Sequence, residues 1–252
     1  MKKLIFLFIV ALMLGVLVKV PIAVLIDEGR LGPAMVYGAQ GTIWSGRASL
    51  VRVNGIDIMS PRWSLKPLYL LLGKAKASIE FGYLEGKAAG DVSISLGQNV
   101  HLSDFEFNVA ADQLTQQFAN GFVGLEGDLS VQLDSLDYQF GETFIQGLSG
   151  YVGWQKSGVA YPLSGSFGNI SIILSQDEES DLLQAEASNQ GGEVSIDGRA
   201  TLGASLAYSV DAVLKPNANI SEALADTLAA ALRKNADGTF HFKRKGSLDQ
   251  LR

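Results

Sequence analysis

From Ala48 onward, apolar and polar residues swap at period two in one short run after another. The runs are 48–53 (ASLVRV), 77–81, 90–96, 101–109 and 127–136, then 168–174, 182–188, 192–202 and 205–214. That period sends alternate side chains to opposite faces of a strand, so each run predicts a strand with one buried face. Glycines such as Gly86, Gly97, Gly127, Gly150, Gly168, Gly192 and Gly203 stand near the run ends and read as turns. Units recurring at uneven spacing argue against a strict solenoid and for an antiparallel meander of long strands.

Three stretches follow another rhythm. Residues 66–73 (KPLYLLLG) are apolar at consecutive positions after a proline and predict one or two helical turns packed on the sheet. In 111–119, Leu114 and Phe118 sit four apart among good helix formers. The strongest helix is 219–238. Asn219 and Glu222 have capping-box spacing with Ser221 as a rival cap; Leu224, Leu228, Ala231 and Leu232 form one stripe; Arg233 and Lys234 fall at the C-terminal end. Residues 239–245 then read as a last strand.

The N-terminus is different again. Residues 4–18 carry no polar side chain, Lys19 interrupts, and VPIAVLI continues to Ile26. A helix over this length matches the roughly 30 Å hydrocarbon layer. The expected organisation is a cytoplasmic tip over 1–3, a transmembrane anchor over 4–26 and an exported β-rich domain over 27–252, oriented by Lys2 and Lys3. A cleaved signal peptide is the alternative, though no good small-residue cleavage site follows.

Composition narrows the chemistry. There is no cysteine in the 252 residues, which removes disulfides and thiolate sites. A net charge of −6 gives no basis for nucleic-acid binding. Residues 121–200 hold twelve acidic side chains against Lys156 and Arg199, densest at 176–181. That run reads as a solvated loop or as an acidic face for a basic partner, and it lacks the spacing of an EF-hand. The two histidines, His101 and His241, lie in apparent strands, and no dinucleotide, phosphate-loop or nucleophile-elbow motif occurs. No catalytic, cofactor or metal residue is singled out.

Several short patterns remain. Gly41 and Gly46 flank Trp44 in GTIWSGRA; Trp63, Leu65, Pro67 and Gly73 form a W-x-L-x-P pattern ending in glycine. Trp154 recurs in a Gly-rich strand at 147–159, and Asp237, Gly238, Gly246 and Leu248 punctuate 232–248. In this order and spacing, with the apolar N-terminus, they resemble the protein N family of the bacterial type II secretion system. The resemblance implies a non-enzymatic inner-membrane accessory component of Gram-negative bacteria. Its partners would be other secretion components and, through the anchor, membrane lipid. It also implies a periplasmic domain similar to the AsmA-like class, a long curved antiparallel β-sheet shaped as a half-pipe with a few short helices. Acyl chains held in such an apolar groove are the alternative function. Trp44 and Trp63 are either core aromatics or interfacial rings.

Overall fold

The computed structural model describes residues 20–26, 29–118, 123–161, 164–177 and 180–248. The fold is mainly β, and the chain divides into two compact units, Met1–Tyr83 with Ala88–Gly97, and Leu84–Lys87 with Gln98–Arg252.

The first unit contains β1 (Arg30–Leu31), β2 (Ala34–Tyr37), β3 (Gln40–Gly41), β4 (Ser45–Arg47) and β5 (Leu50–Val53). They are followed by β6 (Ile56–Leu65), β7 (Lys74–Tyr83) and most of β8 (Gly86–Ser95). β5 and β4 both pair antiparallel with β6, β2 pairs with β5, and β6 pairs with β7. Strand β6 has no counterpart among the sequence-predicted strands. Its alternation breaks where Ser60 takes φ +48° ahead of Pro61, and the register with β7 shifts between Met59 and Arg62. Such a bulge puts two consecutive residues out of phase, so period two fails across it.

The second unit runs β9 (Asn99–Ala110), α1 (Ala111–Phe118), β10 (Gly124–Gln139), β11 (Gln146–Tyr161), β12 (Gly165–Gln176), β13 (Leu183–Gln190) and β14 (Val194–Leu202). It ends with β15 (Ala207–Pro216), α2 (Glu222–Ala231), β16 (Arg233–Lys234) and β17 (Phe240–Ser247). β9 to β15 pair each with the next, all antiparallel, and β17 returns to pair with β15. α2 docks through Leu224 and Leu228 onto Val194 and Phe240, the principal buried cluster. α1 turns Ala111 and Thr115 inward, where the Thr115 hydroxyl accepts the Leu125 N–H at 3.2 Å.

Four expectations are corrected. The transmembrane helix over 4–26 does not run to Ile26. Pro21 lacks an N–H donor and disfavours helix in the residue before it. It bridges Thr42, Ile22–Val24 form a single 3-10 turn, and the Ile43 N–H donates to the Val20 carbonyl. No helix among the described residues is long and apolar enough to cross a membrane; residues 1–19 lie outside them. The single-pass inner-membrane placement drawn from that helix is corrected with it. The single long half-pipe is also corrected: the strands separate into two compact units. The turn at Pro67–Leu72 exists as a 3-10 segment, yet none of its residues is buried. Arg233 and Lys234 belong to β16 rather than to the end of α2, because Leu232 is already extended at φ −127°, ψ 154° and the next turn folds them back against β17.

Candidate functional site

In the second unit, residues opposite one another in an antiparallel pair carry their side chains to the same face. The registers therefore align Phe107, Val131, Val152, Ile172, Ala187, Gly198, Ala212 and Phe242 in one row across eight strands. At about 4.8 Å per strand the row is roughly 34 Å long. Phe105, Leu133, Gly150 and Leu174 flank it on one side, and Val109, Leu129, Trp154 and Ile170 on the other. Most of these side chains are only half-buried. α2 packs on this same face over Val194, Leu214 and Phe240, and the Phe107 ring lies against Gly86. A sheet face this apolar and this long normally meets a second layer. Here α2 covers one part of the face and the row itself is half-exposed.

The next register positions give the opposite face its character. Glu106, Gln132, Tyr151, Ile173, Glu186, Arg199, Asp211 and Lys243 form the neighbouring row. Its last four charges alternate in sign. Arg199 pairs with Glu186, and Asp211 accepts from Lys243 at 2.8 Å and from His241 at 2.6 Å. Those bonds, that of Lys243 first, hold the Asp211 carboxyl at a pKa of about 2. The cross-strand ladder stabilises a solvated face and leaves recognition by apolar contact to the other.

The conserved-looking short patterns of the sequence fall in separate places. Gly41 and Gly46 are paired in the β3–β4 hairpin, with Gly41 at φ +94°. Gly46 also opposes Trp63 of β6, whose indole ring lies directly against it, and a side chain at 46 would occupy the volume of that ring. The Trp63 Nε1–H donates to the Thr42 carbonyl at 3.2 Å, and the Thr42 hydroxyl accepts the N–H groups of Trp44 and Ser45. The Leu65 N–H reaches the Trp44 carbonyl, Pro67 opens the 3-10 turn, and Gly73 closes it in the left-handed region at φ +69°. Trp44 and Trp63 are both half-buried. Gly41, Trp44, Gly46, Trp63 and Leu65 thus meet in one corner of the first unit, and Pro67 and Gly73 bracket the turn after β6. Beside it Asp91 accepts from Lys66 at 2.7 Å, from Ser78 at 2.6 Å and from Lys76 at 3.0 Å. The Lys66 bond, then that of Ser78, keeps its carboxyl well below the usual carboxylate range.

The rest lie in the second unit. Trp154 stands beside the apolar row and donates to the Glu126 carbonyl at 2.8 Å. Asp237 accepts from the Thr239 hydroxyl and N–H in the β16–β17 turn, with Gly238 at φ +85°. Gly246 lies under the Tyr208 ring, and the Leu248 N–H donates to the Leu206 carbonyl.

No chemistry of group transfer emerges. His101 pairs with Asp137 at 2.8 Å and His241 with Asp211, both part-exposed, and neither has a serine or threonine hydroxyl as a hydrogen-bond partner. An 800 Å³ hollow at the far ends of β10 and β11 is lined by Asp137, Glu142, Gln146 and Asp181. A 640 Å³ hollow lies beside Arg47, Arg62, Trp63 and Glu80. Neither joins a nucleophile to a base. Among the described residues no three acidic or histidine groups converge to hold a metal.

A mainly β protein built on an antiparallel meander, with one half-exposed apolar face and one charged face, is the class that this geometry defines. The sequence pattern of the family described as type II secretion system (T2SS), protein N matches residues 34–243, and the chain belongs to that family. It is 25% identical over 248 residues to the type II secretion system protein N of Vibrio cholerae serotype O1, with 96% of each chain covered. No solved structure matches.

Proposed function

We propose that this protein works as an accessory structural component of type II secretion, supporting the export of folded proteins across the outer membrane. It would do so by holding another component of the machinery against the apolar face of its second unit. The row from Phe107 to Phe242 carries this reading: its side chains are aligned across eight strands and half-exposed. An apolar surface of this extent favours a partner, because leaving it in water forgoes about 25 cal/mol for each Å² that contact would cover.

Deleting the gene is expected to leave exported proteins inside the cell. Complementation with Val131→Asp plus Ile172→Asp, which places two charges at the centre of the row, is expected to fail although the protein is still made. Full secretion from the double variant would remove the face from the mechanism. Full secretion from the deletion would remove the function.

A second reading is favoured by the aliphatic centre of the row, Val131, Val152 and Ile172, which offers no polar group to a partner. An acyl chain would suit it. Native mass spectrometry of protein purified from cells separates the two: lipid bound near one-to-one supports the acyl-chain reading. A lipid-free protein that captures secretion components supports the leading one.

A further inference from the structure

The 3-10 turn Pro67–Leu72 carries a concentration of apolar surface that the secretion reading does not use. Leu68, Leu71 and Leu72 are 75%, 85% and 73% exposed, and Leu96, in the loop after β8, is 88% exposed. The two loops form one tip, for the Leu96 N–H donates to the Gly73 carbonyl at 3.2 Å and its side chain lies against Gly73. Such exposure is unusual for leucine, and here it is contiguous.

Basic side chains surround the base of this tip. Lys66 precedes the turn, and Lys74 and Lys76 follow it. Asp91 is the acidic group among them, bound by Lys66 and Lys76, so the cluster keeps a positive excess. Lys76 also stands 5.6 Å from the centre of the Tyr69 ring, which ties the turn to β7. Across the described part of this unit, residues 29–83 and 88–97, seven basic side chains face three acidic ones. The described part of the second unit has the opposite balance, nine basic against eighteen acidic.

We propose that the leucine tip of the first unit docks onto an anionic lipid surface, its leucines entering the apolar layer while Lys66 and Lys74 meet the headgroup charge. Two features favour lipid over a protein groove. The leucines project separately from consecutive positions, a form suited to a fluid apolar medium, which imposes no shape. The flanking charge is of the sign that anionic headgroups attract, and the two contributions add. This surface differs from the apolar row, so either can fail without the other.

The absence of cysteine makes the test local. A Leu71→Cys variant of the full chain carries one thiol, which takes a polarity-sensitive fluorophore. Ile56→Cys, at the far end of β6 and also exposed, is the control. Both are mixed with phosphatidylcholine vesicles, with or without phosphatidylglycerol, some bearing spin-labelled acyl chains. The expected result is a blue shift and spin-label quenching at 71 with anionic vesicles only, and neither at 56. Contacts made elsewhere in the chain leave the probe at 71 in water, so they do not mimic this. Adding Lys74→Glu or raising the salt is expected to weaken the vesicle titration several-fold. Adding Leu68→Asp is expected to weaken it by about tenfold or more. A probe at 71 that stays water-exposed with anionic vesicles overturns the proposal. So does an equal response to neutral vesicles, or a concentration-dependent blue shift without vesicles, which assigns the tip to a second copy of the chain.

Discussion

Leu228→Ala tests whether α2 is fixed to its sheet as the packing indicates. Leu224 and Leu228 are the buried side chains of this helix, and they close over Val194 and Phe240, which are 0% and 2% exposed. Removing three carbons forfeits roughly 2.4 kcal/mol of transfer free energy at about 0.8 kcal/mol each. The walls of the space left behind belong to paired strands and cannot collapse into it, so a cavity cost adds to this. About 3–4 kcal/mol in total is expected, within the range of Leu→Ala changes in closed cores. For a unit of this size each kcal/mol moves the melting midpoint by about 2–4 °C, so a fall of about 10 °C should follow. Circular dichroism melts of the full chain measure it, with Ala230→Gln on the exposed side of α2 as the reference. A Leu228→Ala midpoint within roughly a degree of that reference would falsify the packing argument.

The Glu193 carboxylate accepts the Ser221 N–H at 2.7 Å and the Ser166 N–H at 2.9 Å, and the Ser221 side chain leads its pKa downward. Glu193→Gln should cost about 1 kcal/mol in urea unfolding near neutral pH. Because the folded pKa lies below the unfolded one, that difference should shrink as acid protonates the wild-type group; a pH-independent difference would exclude the carboxylate as its origin. Asp91→Asn should destabilise the first unit by about 1–2 kcal/mol at pH 7, allowing for solvent screening at the lysine ends. The loss is full above the ordinary carboxylate pKa of about 3.9 and fades as pH falls toward the lowered folded value. Equal urea midpoints for the variant and wild type at pH 7 would contradict it. Gly46→Val should displace the Trp63 ring and red-shift the tryptophan emission, and an unchanged spectrum would show that the ring does not need the space.

The long strands β9, β10 and β12 to β15 are legible because each has one solvated face, which imposes alternation on the sequence, whereas the glycines of β11 interrupt it. Strand β6 is not legible, since its bulge at Ser60–Pro61 shifts the phase. Local capping signals point to Asn219, with Ser221 as a rival, and the helix takes the rival as its cap. The group that takes the Ser221 N–H is Glu193, twenty-eight residues earlier, and only the meander brings it there. The apolar row had the same obstacle. Its members are individually visible as inward positions, but their alignment is a matter of register between strands, which spacing within a strand does not encode. Trp154 was singled out and does border the row; Val131, Val152 and Ile172 could have been found only as part of their strands' alternation. The leucine turn was misread for a physical reason: consecutive apolar residues usually signal burial, and here they signal the reverse.

The meander of the second unit has a kinetic corollary. From β10 to β14 each strand is bonded to its predecessor and its successor. Stability in such an array is close to a chain of nearest-neighbour couplings, as in repeat proteins. The central hairpins, β11 with β12, are then the last to open, and the array frays inward from its margins. α1 at one margin and α2 at the other act as end clamps. A partner lying along the apolar row would bridge many strands at once and convert serial unzipping into a single concerted opening. Amide exchange, graded from margin to centre in the free protein, would become uniformly slow in the complex.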